Sequence, residues 1–327
     1  MKNSIIKILF LFIIIINISC NNNNNNILPA STGKTAELLI VCEKNIYEGI
    51  IGEEIKAVFA KDVEILPQSE PMFNLVNIPF SDFKNMFKTY RNIFMVDINP
   101  ELSQPTLDLK HDLWAQPQTV IQISVPSDTS LTRLLKKHGN VFTSLYLKTE
   151  RQRLINAFKG IEDTKIRQKL KNDFGFEMIF PEGYYIAVQN KDFIWIRKET
   201  EATSQSIIIY TQPFTDTMVF NSNYIINLRD SITKKYIPGH TEGSYMTTEK
   251  KILPVSKSIN FKGRYAIETR GLWKLANGCC MGGPFVNYTF ADDSNKKIIT
   301  IDGSVYAPST NKRDFLLQVE SIAYSFE

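Results

Sequence analysis

The pattern of apolar runs changes character near the middle of the 327-residue chain, and that change limits the folds open to it. In the first half, short apolar runs at Leu38–Cys42, Phe73–Ile78, Ile93–Ile98 and Thr119–Val125 read as strands. They are separated by segments with helical spacing. Ile51, Ile55, Val58 and Phe59 share a face over Ile46–Phe59, and Ser81–Tyr90 reads as a short helix. The stretch holding Pro105 and Pro117 reads as a loop. From Ser127 a helical region runs to about Lys171, with breaks expected near His138-Gly139 and at Gly160.

The second half is rich in strands. Phe176–Phe180, Tyr184–Gln189, Phe193–Lys198 and Ser206–Thr211 read as successive antiparallel strands joined by polar turns. A helix starts at Asn221-Ser222-Asn223 and stops at Pro238-Gly239. Five more strands follow: Tyr245–Glu249, Ile252–Phe261, Tyr265–Trp273, Phe285–Phe290 and Lys297–Tyr306. A last amphipathic helix begins near Asn311. Strands interrupted by one helix and closed by another imply an antiparallel sheet with helices packed on it. The expected class is therefore α+β, with two α/β domains at 37–172 and 173–327.

The first 36 residues stand apart. Lys2 and Lys7 precede an apolar run, Ile8–Ile16, that falls short of the ~20 residues needed to cross a bilayer. A positive start, a short apolar core and a small residue before a processing point read as a secretory signal, residues 1–19. A buried apolar helix or an uncleaved signal anchor is the alternative. Ile18-Ser19-Cys20 resembles the lipobox of bacterial lipoproteins, with Asn17 where Leu is usual. The resemblance implies acylation at Cys20, by palmitate or a similar chain. One acyl chain holds a protein only marginally, whereas two or three on one residue give a stable anchor. Asn21–Asn26 has no apolar face, so residues 20–36 read as a flexible tether. With no Asp after Cys20, the expected address is the outer membrane, facing the periplasm.

The net charge of +4 falls by two once Lys2 and Lys7 are removed, which is no nucleic-acid signature. Leu131–Asp173 is locally basic and reads as a solvated face or, less simply, a patch for anionic headgroups. Cys42 lies in an apolar run and reads as a small buried hydrophobe. Gly33-Lys34-Thr35 lacks the earlier glycine of a phosphate loop and precedes the first strand. His111, His138 and His240 form no zinc spacing, and no cofactor or metal is expected.

One segment draws attention as a candidate contact site for a ligand or partner. It carries Arg270, Trp273, Cys279, Cys280, Gly282, Gly283, Phe285 and Tyr288. Glycines permit close approach of a partner, and Trp and Tyr offer large amphipathic surfaces. A hairpin that needs glycines to turn, with aromatics capping a sheet, explains the same residues. Adjacent Cys279 and Cys280 could also close a strained, labile disulfide.

Phe180-Pro181-Glu182-Gly183-Tyr184, Arg270-Gly271-Leu272-Trp273 and Gly282-Gly283-Pro284-Phe285 resemble an uncharacterised family of Bacteroidetes lipoproteins. That resemblance implies an envelope address and no catalytic residues. The order of elements in the second half resembles the PsbP-like sandwich, through its Phe-Pro-Glu-Gly-Tyr entry and closing helix. The functional expectation is a non-catalytic, lipid-anchored binding or accessory protein. Its partners would be the membrane, through Cys20, and an envelope protein or small ligand. The alternative is an envelope enzyme whose site gathers Arg270, His240, Glu242 and Glu268.

Overall fold

The computed structural model describes residues 28–278, 280–292 and 296–327. The signal, Cys20 and residues 21–27 lie outside the described residues, as does Cys279. The rest of the expected tether is held in place, with Ala30 and Thr32 bridging to Gln116 and Tyr90 and with Ala36 buried. Among the described residues the protein is a mixed α+β structure with two sheets and six α-helices.

The first sheet contains β1 (Glu37–Val41), β2 (Asn74–Ile78), β3 (Asn92–Ile98), β4 (Thr106–His111) and β5 (Thr119–Val125), in the order β2-β1-β3-β5-β4. β1, β2, β3 and β5 run parallel, and β4 pairs antiparallel to β5 at the edge. β4 corrects the expected loop. Its sequence, Thr-Leu-Asp-Leu-Lys-His, has every residue exposed, so no buried face announced it.

Two short helices, α1 (Lys44–Tyr47) and α2 (Ile50–Phe59), follow β1. The segment read as a helix over Ser81–Tyr90 forms two 3-10 turns instead. Helix α3 (Asp128–Gly160) is capped by the Ser127 hydroxyl, which accepts from Ser130 N at 3.3 Å. It passes unbroken through Gly139. A Cβ there would lie 2.7 Å from Val58 Cγ2, so this glycine lets α2 approach α3 and does not end the helix. Helices α2 and α3 cover one face of the sheet over Leu38, Ile40, Phe59, Phe94, Ile121 and Tyr146.

Helix α4 (Thr164–Phe174) begins at the Asp163 cap and ends on Gly175, whose φ of +85° suits a residue without a Cβ. Ile166 and Leu170 of this helix pack into the core of the second half. The junction therefore lies nearer 161 than the expected 172. Phe176–Phe180 is an extended strap and not a strand. Its backbone pairs with the end of the chain, where Glu177 and Glu327 exchange N–H···O bonds of 2.9 Å.

The second sheet is antiparallel. It comprises β6 (Tyr185–Asn190), β7 (Phe193–Glu199), β8 (Ser204–Pro213), β9 (Tyr245–Thr248), β10 (Val255–Phe261), β11 (Arg264–Ala276), β12 (Gly282–Asp292) and β13 (Lys297–Tyr306). Its order is β10-β11-β12-β13-β8-β7-β6, with β9 extending along β11. Helix α5 (Ser222–Tyr236) packs on one face over Trp195, Ile208, Trp273 and Phe285. Helix α6 (Arg313–Tyr324) packs with α4 on the other, over Ile207, Val286, Tyr288 and Phe290. Among the described residues no helix is long and apolar enough to cross a membrane.

The two halves meet along α3, whose C-terminal half lies against α6. The loop between α2 and β2 reaches the same helix. Glu70, 3% exposed, accepts from Lys312 N at 2.8 Å and from Arg313 N at 2.8 Å. Lys312 Nζ donates to Gln68 Oε1, and Arg313 Nη1 donates to Pro71 O.

Candidate functional site

A cleft of about 400 Å³ opens where this loop, α3, α6 and strands β10 and β11 converge. Lys61, Asp62, Val63 and Glu64 form one wall. Asn140, Ser144 and Leu147 of α3 form the second, and Leu316, Leu317 and Glu320 of α6 the third. Arg270 and Lys257 enter from the sheet. The lining mixes apolar side chains with charges of both signs.

The charges form a chain. Glu64 meets Lys257 at 3.6 Å, and Lys257 meets Glu268 at 3.1 Å. Arg270 Nε donates to Glu268 Oε1 at 2.9 Å, and Nη2 donates to Glu320 Oε1 at 2.8 Å. Arg151 of α3 reaches Glu320 at 3.5 Å and lies over the Tyr324 ring at 4.3 Å. Acids and bases thus alternate from the first half into the second and back.

Glu268 and Arg270 in the chain, and Tyr288 beside it, have fixed protonation states. Burial alone would raise the Glu268 carboxyl, but Arg270 and then Lys257 outweigh it and hold the pKa at about 2. Burial opposes the Arg270 charge, yet Glu320 and Glu268 lift its pKa well above normal. Burial pushes the Tyr288 hydroxyl far up, helped by Glu320 and Glu268. These three groups therefore do not change protonation near neutral pH. The arrangement can orient a charged or polar ligand by fixed charge.

The sheet divides the residues singled out from the sequence. Successive strand residues point to opposite faces. Arg270 and Glu268 turn toward α6 and the cleft. Tyr288 shares that face, stacked against Phe261 at 5.0 Å and edge-on to Tyr324 at 5.4 Å. Trp273 and Phe285 lie on the opposite face, beneath α5. Trp273 Nε1 donates to Val305 O at 3.1 Å, and Phe285 packs under the Arg229 guanidinium at 3.8 Å.

Gly282 and Gly283 serve close packing of backbone. A Cβ at Gly283 would lie 2.0 Å from Val305 O, and one at Gly282 would lie 2.7 Å from Trp273 O. Cys280 is exposed with φ of +68°, and the pairing suggested for Cys279 falls outside the described residues. The residues expected to share one contact surface thus lie on opposite faces of the sheet, with Trp273, Phe285 and Tyr288 buried in its cores.

His240 lines a small pocket of about 70 Å³ with Trp195, Trp273 and Met281, and Glu242 is exposed in the loop before β9. Neither reaches Arg270 or Glu268, so the four residues named for an enzyme site do not converge. Among the described residues no group of three or more His, Cys, Asp or Glu side chains could hold a metal ion.

A second buried ion pair supports the α5 face. Arg229 and Asp302, each buried, form a bidentate pair at 2.8 and 3.2 Å, and Asn287 and Thr248 complete the network. The basic surface expected over Leu131–Asp173 is partly neutralised by pairing. Arg153 is buried against Glu150 at 2.7 Å, while Lys136, Arg167, Lys169 and Lys171 meet Glu54, Glu162, Asp173 and Glu177.

Sequence reasoning missed Lys61, Asn140, Ser144, Leu316 and Glu320. Three distant segments bring them together, and no spacing encodes that. Glu320 alone left a trace, as a carboxylate on the apolar face of the last helix beside Leu316, Val319 and Ala323.

Comparison with known proteins follows the same division. Residues 163–325 match a domain of unknown function (DUF4837), and residues 31–159 match another (DUF8532). The two matches support an uncharacterised family for the chain. No curated protein matches it. Among solved structures, the Saccharomyces cerevisiae Ran-binding protein Mog1p aligns at 12% identity and a TM-score of 0.30, covering 47% of this chain and 90% of that one. A Mog1 point mutant aligns at 12% identity and a TM-score of 0.28, covering 47% and 91%.

Proposed function

We propose that this is a lipid-anchored envelope protein that binds a small ligand or a partner segment in the cleft between its halves. The observation that carries the reading is the cleft itself, floored by Arg270 and walled by both halves. Its volume falls in the range of small-molecule sites, which favour domain interfaces. The fixed charges of Glu268 and Arg270, with Tyr288 held neutral, favour recognition over acid–base chemistry at these three groups. The anchor reading rests on Lys2, Lys7, the apolar run and Ile18-Ser19-Cys20. The proposal includes membership of a Bacteroidetes lipoprotein family and an outer-membrane position facing the periplasm and, from the element order of the second half and its Phe180–Tyr184 entry, a PsbP-like second domain.

Two measurements test the proposal. Cells expressing the full chain are fed a clickable fatty acid. The chain is expected to take up label and fractionate with membrane, and the Cys20→Ser variant to do neither. Equal labelling of the variant would remove the anchor. For the cleft, a photo-reactive benzoylphenylalanine at Ser144 is activated in intact envelopes. A discrete adduct is expected, lost when Leu316→Trp fills the cleft. Adducts of bulk envelope protein alone, unchanged by Leu316→Trp, would count against binding there.

A further inference from the structure

The outer edge of strand β4 pairs with no other strand among the described residues. All six of its residues, Thr106 to His111, are exposed. Asp112 N donates to Gln118 O at 3.0 Å, which sets the phase of the β4–β5 ladder. In an antiparallel pair, hydrogen-bonded positions alternate. Asp112, Lys110, Asp108 and Thr106 therefore bond inward to β5, in the register Lys110↔Val120 and Asp108↔Gln122. The N–H and C=O groups of Leu107, Leu109 and His111 point outward. Pro105, on the same phase, has no N–H and ends the row.

We propose that β4 pairs antiparallel with β4 of a second copy, about a two-fold axis at Leu109, joining two five-stranded sheets into one. In this register Leu109 faces Leu109 of the second copy, and Leu107 faces His111. Each is a hydrogen-bonded position, so the outward groups are satisfied. Asp108 then faces Lys110 of the second copy, and Lys110 faces Asp108, at non-hydrogen-bonded positions where side chains approach most closely.

Charge selects this register from its neighbours. An axis at Asp108 opposes Asp108 to itself, and an axis at Lys110 opposes Lys110 to itself, each unfavourable across a strand pair. Within one copy Asp108 and Lys110 lie on the same face, 3.6 Å apart. Leu107 and Leu109, 47% and 41% exposed, share the other face, where the axis brings the two Leu109 side chains together. Charged edge strands ordinarily resist pairing. Here the charges are arranged to complement their own image.

The full chain in mild detergent tests the pairing. Sedimentation should show a monomer–dimer equilibrium. Asp108→Lys should weaken association about tenfold, since two attractive cross-strand pairs become repulsive. Asp108→Lys combined with Lys110→Asp should restore it. Under mild oxidation Leu109→Cys should link two copies beyond the level of the unsubstituted chain. Hydrogen-bonded partners lie about 5.5 Å apart at Cα, within disulfide reach of roughly 4.4–6.8 Å. Asp108→Cys and Lys110→Cys should link when mixed and not when alone. A monomer at every concentration, a dimer indifferent to Asp108→Lys, or a double reversal as weak as the single one would each overturn the proposal.

Discussion

The Glu70 carboxylate caps a helix that begins 243 residues later, accepting from Lys312 N, 242 residues away, at 2.8 and 3.0 Å. The first turn of any helix leaves N–H groups unpaired, and α6 carries no capping side chain of its own. The first half of the chain supplies that cap. Glu70→Ala is expected to lower stability by about 1–2 kcal/mol, the cost of a lost cap. Urea midpoints of the two proteins measure it. Glu70→Gln keeps an acceptor and should recover part of the loss.

The ion chain beneath the cleft makes acid stability depend on Glu268. Its folded pKa of about 2 lies below the unfolded value of about 4.3. The stabilisation is therefore complete above about pH 4.5 and disappears as pH falls through 2. Two units correspond to roughly 3 kcal/mol at 7% side-chain exposure. Glu268→Gln should lower stability at neutral pH and flatten its decline between pH 4.5 and 2. An unchanged acid limb would show that Arg270 does not hold this carboxylate.

Removing Arg229 would strand the Asp302 carboxylate, which is fully buried. Arg229→Met should cost about 3–5 kcal/mol, the range for breaking a buried pair by deleting one partner. Asp302→Leu in the same protein should return part of that, because the uncompensated charge is then gone. Guanidinium denaturation of the single and double variants separates the two effects.

Cys42 provides a probe of opening in the first half. Burial pushes its thiol up to about 11, with the Asn77 amide opposing at 3.5 Å. At pH 8 almost no thiolate is available for attack. Iodoacetamide should leave Cys42 unmodified in the native protein and modify it in urea, as read by peptide mass. Native labelling at rates matching Cys280 would show that β1 is accessible.

The strands of both cores were legible because apolar residues crowd them. Leu38–Val41 and Ile93–Val96 are buried on both faces, and Phe285–Phe290 is buried throughout. The caps at Ser127 and Asn221 were legible because the side chain that accepts stands beside the N–H that donates. β4 was not, since an edge strand with every side chain in water needs no apolar pattern. Gly139 misled because its role is the space taken by Val58, which no local pattern records.

Local pattern was enough to set the two-part α+β order, the capped helix starts at Ser127 and Asn221 and the apolar core strands, because periodicity and capping act over a few residues. Tertiary structure alone decided that Arg270 and Trp273 face opposite layers, that Glu70 caps α6, and that Glu320 joins Arg151 to Arg270. Each of those outcomes needs groups far apart in the chain to meet. A linear pattern specifies which groups must be buried or paired, and only the packed chain specifies with what.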